Sequence, residues 1–189
     1  MPARHCPFLL LSALLIAATL PSFAGGPTHR TAMKDLSSLT YLVIHPLHRV
    51  EAVSKDLSAE IDYDDATHTI LRAAFSADVM SFDSGNSSRD SHAMEVLDAL
   101  TYPTVSYKST GIETTGSRIL MHGDLTFHGQ TRPVDVSATD STANDRLTVQ
   151  GTTGVSLTAF GIERPSLLMI PTEDTLKISF TVVFPSGVQ

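Results

Sequence analysis

The chain of 189 residues contains one cysteine and no tryptophan, and only 6% of its residues are aromatic. The single cysteine, Cys6, lies near the N-terminus, so the rest of the chain has no thiol for a disulfide or a thiolate metal site. Basic residues are also few. Thirteen Lys and Arg against 20 Asp and Glu give a net charge of −7, which argues against nucleic acid and anionic membrane surfaces as electrostatic partners.

The first 24 residues have the features of a secretory signal peptide. Arg4 and His5 provide a charged start, and residues 8–20 form an apolar run that is too short to span a bilayer. Ser22-Phe23-Ala24 fits the small-x-small cleavage rule. We therefore expect residues 1–24 to be cleaved, and the mature protein, with a net charge of −8 after loss of Arg4, to be periplasmic. No later segment is apolar enough to cross a membrane.

Residues 25–37 are predicted to be a polar leader, and residues 38–189 to be a single domain. Apolar and polar side chains alternate through most of this domain, which predicts half-buried antiparallel strands. Eight strands are predicted near residues 39–44, 57–63, 71–79, 105–107, 119–127, 134–139, 147–151 and 176–184. A ninth is predicted near residues 155–160.

One short helix interrupts this pattern at residues 90–100. Ser87, Ser88 or Asp90 is the predicted N-cap, because these side chains accept hydrogen bonds from free helix amides. Pro103 prevents the helix from continuing. The apolar face is predicted to consist of Ala93, Met94, Leu97 and Leu100.

An all-β chain with this alternation folds as a barrel or a sandwich, and the sequence alone leaves both open. The inward row is rich in small residues, which we expect to leave empty volume inside the sheet. This favours a single antiparallel β-barrel of about eight strands with one inserted helix and a hollow, apolar interior. The small residues are Ala59, Ala73, Ala77, Gly123, Ala138 and Gly151.

Three blocks of the chain resemble the YceI-like family, bacterial lipocalin-like proteins that bind polyisoprenoids. Arg89-Asp90 is followed by Tyr-Pro-Thr-Val-Ser-Tyr at residues 102–107. Residues 123–134 read Gly-Asp-Leu-Thr-Phe-His-Gly-Gln-Thr-Arg-Pro-Val, and residues 160–162 read Phe-Gly-Ile. The chain departs from the family where Leu157 and Ala159 replace an arginine and an aspartate.

The resemblance implies a lipocalin-like barrel whose apolar tunnel holds a long-chain isoprenoid-type or fatty lipid, without catalysis and without a cofactor. Arg89, at the start of the helix, is a candidate contact for a polar head group. The charges missing at Leu157 and Ala159 would weaken such a contact. The predicted ligand-binding residues are Phe75, Val79, Met80, Phe82, Met94, Leu97, Tyr107, Met121, Phe127, Phe160 and Phe180.

Two other classes of function stay open at this point. The protein would bind other amphiphiles or a partner protein at the envelope, or it would be a metal-linked stress protein using His45 and His48 with Glu51. The sequence contains no nucleophile elbow, zinc-protease helix or glycine-rich phosphate loop, so we predict no enzyme. The identity of the ligand, a metal at His45 and His48, and a homodimer are left open.

Overall fold

A computed structural model describes residues 26–187, which form twelve strands and one α-helix. The predicted signal peptide lies outside the described residues. The helix α1 spans Ser87–Val96. The strands are β1 Thr28–Thr31, β2 Ser38–His45, β3 His48–Ser54, β4 Leu57–Asp64, β5 Thr69–Asp78, β6 Thr104–Thr115, β7 Arg118–Phe127, β8 Gln130–Ala143, β9 Arg146–Ser156, β10 Ser166–Leu167, β11 Ile170–Pro171 and β12 Thr175–Pro185.

Ten of these strands form one antiparallel sheet in the order β1-β4-β5-β6-β7-β8-β9-β12-β2-β3. The segment between β1 and β2 ties the two sides of this sheet together. Ala32 N donates to Ala59 O of β4 at 2.8 Å, and Met33 N donates to Val183 O of β12 at 2.7 Å. The sheet is therefore curled around a single core, as the predicted lipocalin-like all-β fold requires, with ten strands in place of about eight.

Eight of the predicted strands are present, but three other assignments near them were incomplete or wrong. The predicted ninth strand is the end of β9 followed by a 3-10 helix, Thr158–Phe160, which stops at Gly161 with a φ of +72°. The predicted leader contains β1, and β3 was missed. Both missed strands turn polar or small residues inward, Arg30 in β1 and Ala52 and Ser54 in β3, so neither carries an apolar alternation.

A β-bulge changes which side chains of β5 face inward. Asp62 pairs with Arg72, but its neighbour Tyr63 pairs with Ile70, so Leu71 is left without a partner on β4. An extra residue reverses the alternation on one side of a bulge. Ile70 is consequently buried and Leu71 is exposed, so the predicted inward row is wrong at Leu71, whereas every second residue from Ala73 to Val79 is turned inward as predicted.

The helix begins earlier and ends earlier than predicted. Asn86 is the N-cap, and its side chain accepts hydrogen bonds from Ser88 N and Arg89 N at 3.1 Å each. The predicted caps at Ser87, Ser88 and Asp90 were therefore wrong. Asp98 has a φ of +43°, which ends the helical path before the predicted last turn. As a result Ala99 is buried and Leu100 is 89% exposed, so Leu100 is not on the buried face.

Candidate functional site

The curled sheet encloses an apolar cavity of about 150 Å³. Its wall is formed by side chains from nearly every long strand. Among the lining residues within 26–187, the only polar groups are Thr153 and the hydroxyls of Tyr41 and Tyr107. An apolar cavity of about this volume stays dry and accepts a guest of the size of benzene. The cavity can therefore enclose an apolar group, but in this conformation it is too small for the long chain expected from the sequence.

The glycines on the inner face do not contribute to this volume, contrary to the prediction. An added Cβ on Gly151 would lie 2.4 Å from Phe180 Cζ, and one on Gly123 would lie 2.4 Å from Tyr107 Cζ. Both positions are thus filled by an aromatic ring from the neighbouring strand. Ala77 and Ala138 are buried away from the cavity, whereas Ala59 and Ala73 do line it.

Eight of the eleven predicted ligand-binding residues lie on the cavity wall. They come from five parts of the chain, namely β5 and the 3-10 helix after it, the end of α1, β6, β7 and β12. That these residues contact a ligand stays a prediction. The eight are Phe75, Val79, Phe82, Leu97, Tyr107, Met121, Phe127 and Phe180.

Three predicted residues lie elsewhere. Met80 is exposed in the 3-10 helix after β5, and Met94 is half-buried on α1 without reaching the wall. Phe160 is fully buried behind the wall, where its ring packs on that of Phe127 with centroids 5.8 Å apart. All three lie in helical segments, where strand alternation does not determine the direction of a side chain.

Several wall residues were not predicted. Leu39 and Tyr41 line the cavity from β2, and Ile178, Val182 and Phe184 line it from β12. All five lie in predicted strands, at every second position of β2 and β12. The strand alternation would therefore have been enough to predict that these five residues line the cavity.

The mouth of the cavity is at the α1 end of the barrel. Tyr41 and Phe82 pack there with ring centroids 5.1 Å apart, and both are half-buried, as is Leu97. At the opposite end, Ile70 and Phe184 are buried. A guest would consequently enter between α1 and β2.

Arg30 closes the end of the barrel opposite the mouth. It is only 5% exposed, and its guanidinium lies 4.1 Å from the centre of the Tyr63 ring. The same group forms an ion pair with Asp65. A buried charge needs such partners, because its loss of hydration is otherwise too costly. Arg30 lies in the predicted polar leader, and this role was not predicted.

Tyr107 presents an apolar ring to the cavity and turns its hydroxyl to the backbone. The hydroxyl lies within donating distance of Met121 O at 3.1 Å and Val134 O at 3.3 Å. Burial raises the pKa of this hydroxyl to about 12, with smaller contributions from Asp135 and Asp124. Tyr107 therefore stays neutral at any physiological pH and adds no charge to the wall.

Arg89 is engaged by its own loop. Its Nη2 donates to Ser84 O at 2.9 Å and its Nε donates to Ser84 Oγ at 3.3 Å, so the side chain fixes the approach to α1. The neighbouring Asp90 and Arg89 have opposite effects on the pKa of Tyr41, which is raised mainly by burial of its hydroxyl. A head-group contact by Arg89 stays a prediction.

His45 uses both ring nitrogens in hydrogen bonds to the chain. Leu47 N donates to Nδ1 at 3.1 Å, so the proton lies on Nε2, which donates to Ile170 O at 2.8 Å. The ring is 3% exposed and packs 4.9 Å from that of His48. In this conformation His45 has no free nitrogen for a metal. No group of three or more metal-ligating side chains occurs within residues 26–187.

Asp174 fixes the segment that follows β9 near the mouth. Ser156 Oγ donates to Asp174 Oδ2 at 2.5 Å, and Thr158 N donates to Oδ1 at 2.9 Å. These two hydrogen bonds, the first above all, hold the pKa of the Asp174 carboxyl below its ordinary value of 3.8. The resulting stabilisation is complete above pH 3.8 and is lost as the pH falls through the lowered pKa of the folded state.

We therefore expect Asp174→Asn to lower the Tm at neutral pH, because the amide cannot reproduce the charged acceptor. The difference in Tm between the wild type and the variant should narrow as the pH falls below 3.8. Thermal unfolding of both proteins, followed by circular dichroism at pH values from neutral to below 3.8, would measure this difference in Tm. A difference in Tm that is independent of pH would contradict this account of Asp174.

An antiparallel sheet curled around an apolar cavity with one mouth defines a lipocalin-like architecture. A family model, the YceI-like domain, matches residues 31–184, and this chain belongs to that family. Within residues 26–187, no helix has both the length and the apolar character needed to cross a membrane.

Relatives at the sequence level are bacterial proteins named UPF0312. One from Pseudomonas putida is 30% identical over 156 residues, which cover 78% of this chain and 76% of the relative. One from Vibrio cholerae is 34% identical over 113 residues, or 55% of this chain. This chain spans 60% of the length of that relative.

Solved structures support the fold at low sequence identity. The crystal structure of Burkholderia cenocepacia BcnA aligns with a TM-score of 0.73 at 23% identity, covering 80% of this chain and 98% of that one. A polyisoprenoid-binding domain from Saccharophagus degradans, implicated in plant cell wall breakdown, aligns with a TM-score of 0.63 at 14% identity. That alignment covers 84% of this chain and 98% of the other.

Proposed function

We propose that this protein binds the apolar chain of an isoprenoid-type or fatty lipid and carries or sequesters it without catalysis. The observation that supports this proposal is the apolar wall of the cavity, which contains no carboxylate, imidazole, amine or thiol among the lining residues that the structure describes. Membership of the YceI-like family and the likeness to a polyisoprenoid-binding domain point to the same ligand class. Removal of residues 1–24 would place the carrier in the periplasm.

A long chain requires the cavity to widen. The volume of about 150 Å³ matches a guest of the size of benzene, so further carbons must displace wall side chains. Phe75 and Phe180 are half-buried, and Met121 has the flexible side chain that adapts to irregular guests. Each additional buried methylene contributes about 0.8 kcal/mol, or about a fourfold gain in affinity, which offsets the cost of moving these groups.

A compact amphiphile is the second candidate ligand, and the volume of the cavity favours it. The two candidates differ in how affinity depends on length. For a chain binder, Kd should fall steadily from geraniol through farnesol to geranylgeraniol. For a binder of compact guests, Kd should be the same for all three.

The test combines this series with extraction of the native ligand. Protein purified from its own periplasm without detergent should release a long-chain lipid that mass spectrometry identifies. Titration of the three prenols into delipidated protein should then give the length dependence. Repeated absence of a lipid, together with no uptake of any prenol, would rule out the proposed function.

A further inference from the structure

An apolar hairpin projects at the α1 end of the barrel. Its two strands, β10 and β11, are joined by Leu168 and Met169, whose side chains are 77% and 97% exposed. Leu167 and Ile170 on either side are exposed as well. Four large apolar side chains in succession are thus exposed to solvent, and none of them is buried in the core of the protein.

The backbone of this hairpin does not explain the choice of residues. Leu168 has a φ of +52° and Met169 has a φ of +69°, which together make a two-residue turn of the type that favours Asn-Gly. Side chains with a Cβ are strained in this region of conformational space. Large apolar residues are therefore present at the tip in spite of the turn geometry.

The hairpin and the residues that follow it are fixed to β2 by two hydrogen bonds. His45 Nε2 donates to Ile170 O at 2.8 Å, and Glu173 N donates to Ile44 O at 2.8 Å. Within the loop itself, Arg164 Nη1 donates to Thr172 O at 3.3 Å and closes the base of the hairpin. The first of these bonds brings the turn between β2 and β3 alongside, and that turn presents another exposed apolar side chain, Leu47.

The tip stands beyond the mouth of the cavity. Tyr41 lines the mouth, and His45, which holds the hairpin, lies four residues further along the same strand. At about 3.3 Å per residue, this places the hairpin roughly 13 Å further out than Tyr41. A flat surface that touched the tip would consequently face the mouth.

The charges near the tip differ from those of the whole chain. No carboxylate occurs between Glu163 and Glu173, or between Asp35 and Glu51, although the chain has a net charge of −7. The charged side chains within these two stretches are basic, Arg49 and Arg164, and His48 is exposed beside them. Local charge around these two turns therefore favours an anionic or zwitterionic surface, although α1 at the same end of the barrel carries Asp90 and Glu95.

We infer that the hairpin tip, residues 167–170 together with Leu47, docks the protein on a lipid bilayer with the cavity mouth facing the membrane. This inference rests on the proposed function, because it supplies the surface from which a lipid chain would be loaded. Apolar side chains on a narrow projection enter the boundary between head groups and acyl chains without needing a complementary partner.

A second copy of the chain is the alternative occupant, and the size of the tip argues against it. A stable protein interface buries about 800 Å² on each partner, usually from 20 to 30 residues. Five exposed side chains on two turns provide a small part of that area. Membrane contact has no such minimum, since each inserted apolar group contributes separately.

The lack of tryptophan in the chain gives a direct reporter of docking. In Met169→Trp, the single indole should shift its emission to shorter wavelength on addition of vesicles of phosphatidylethanolamine with a minor fraction of phosphatidylglycerol. In Leu71→Trp, which places the indole on the exposed outer side of β5, the emission should not change. No shift in Met169→Trp, or an equal shift in both, would overturn the inference.

The double substitution Leu168→Asn with Met169→Gly removes the apolar tip while giving the turn its preferred residues. It should lower the partition of the protein into these vesicles at least tenfold in a flotation assay and leave the Tm equal or higher. Uptake of geranylgeraniol from dilute detergent, measured without vesicles, should be unchanged.

These readouts separate the two proposals. Unchanged vesicle binding in the double variant would overturn the docking surface and leave the cavity intact as a binding site. Vesicle binding without any prenol uptake would refute the proposed carrier and retain the membrane contact. A wild-type dimer that dissociates in the double variant, without vesicle binding by either, would assign the tip to a second copy.

Discussion

Gly151→Ala should destabilise the protein by about 3 kcal/mol, at the upper end of the range for overpacked cores. The added Cβ would lie 2.4 Å from Phe180 Cζ and 2.8 Å from Ser137 O, so both an inner ring and the backbone of β8 would have to move. Because β9 pairs along its length with β8 and β12, neither neighbour can shift alone. Urea unfolding would show the loss as a lower midpoint with an unchanged m value.

Gly154→Ala on the same strand is the matched control. Its Cβ would meet only the side-chain methyl of Thr175 at 3.0 Å on the exposed side of the sheet. We expect little change in the free energy of unfolding. In the double variant Gly151→Ala with Phe180→Leu, the smaller side chain should recover about 1 kcal/mol relative to the sum of the single changes. Strict additivity would contradict the contact between Gly151 and Phe180.

Ala73→Phe should abolish most ligand uptake while the protein stays folded. Ala73 lines the cavity and is half-buried, and a phenyl group is about the size of guest that a cavity of this volume accepts. The new ring would therefore occupy the space of the ligand. We expect at least a tenfold rise in the Kd for geranylgeraniol, equivalent to about 1.4 kcal/mol, measured by fluorescence competition.

Leu71→Phe provides the control, because it adds a ring to the exposed side of the same strand. Its affinity for geranylgeraniol should equal that of the wild type. If Ala73→Phe were folded, as judged by its Tm, and still bound the prenol with wild-type affinity, the apolar chain would not bind inside the barrel. The proposed function would then need a different site.

The long strands could be predicted from sequence because each has one face towards a single core. In β4 and β7, every second side chain is buried, and this is the periodicity that the alternation reports. The family blocks at residues 89–107, 123–134 and 160–162 added the lipocalin-like class, which alternation alone did not distinguish from a sandwich. Both predictions are confirmed.

Predictions failed where a local event overrides the alternation. The bulge at Leu71 inserts one residue, so Ile70 faces inward in its place. Asp98 leaves the helical conformation and exposes Leu100. Arg30 is buried through partners distant in sequence, Tyr63 and Asp65, which no periodicity identifies.

The candidate site was predictable to the extent that it follows the strands. Phe75, Tyr107, Met121, Phe127 and Phe180 line the cavity because their strand position turns them inward. Met80 and Met94 do not, since each lies in a helical segment whose orientation depends on packing. The volume of the cavity was beyond sequence reasoning, because it depends on rings such as those of Phe180 and Tyr107 filling the space over Gly151 and Gly123.

Phe184, Arg30 and Tyr63 are buried at the end opposite the mouth, so within residues 26–187 the cavity opens towards the α1 end. Anything that enters must leave by the same route, tail last, and cannot be threaded through. The polar end of an amphiphile would then remain outside for the whole residence time, where an enzyme or receptor can reach it before the apolar portion is released.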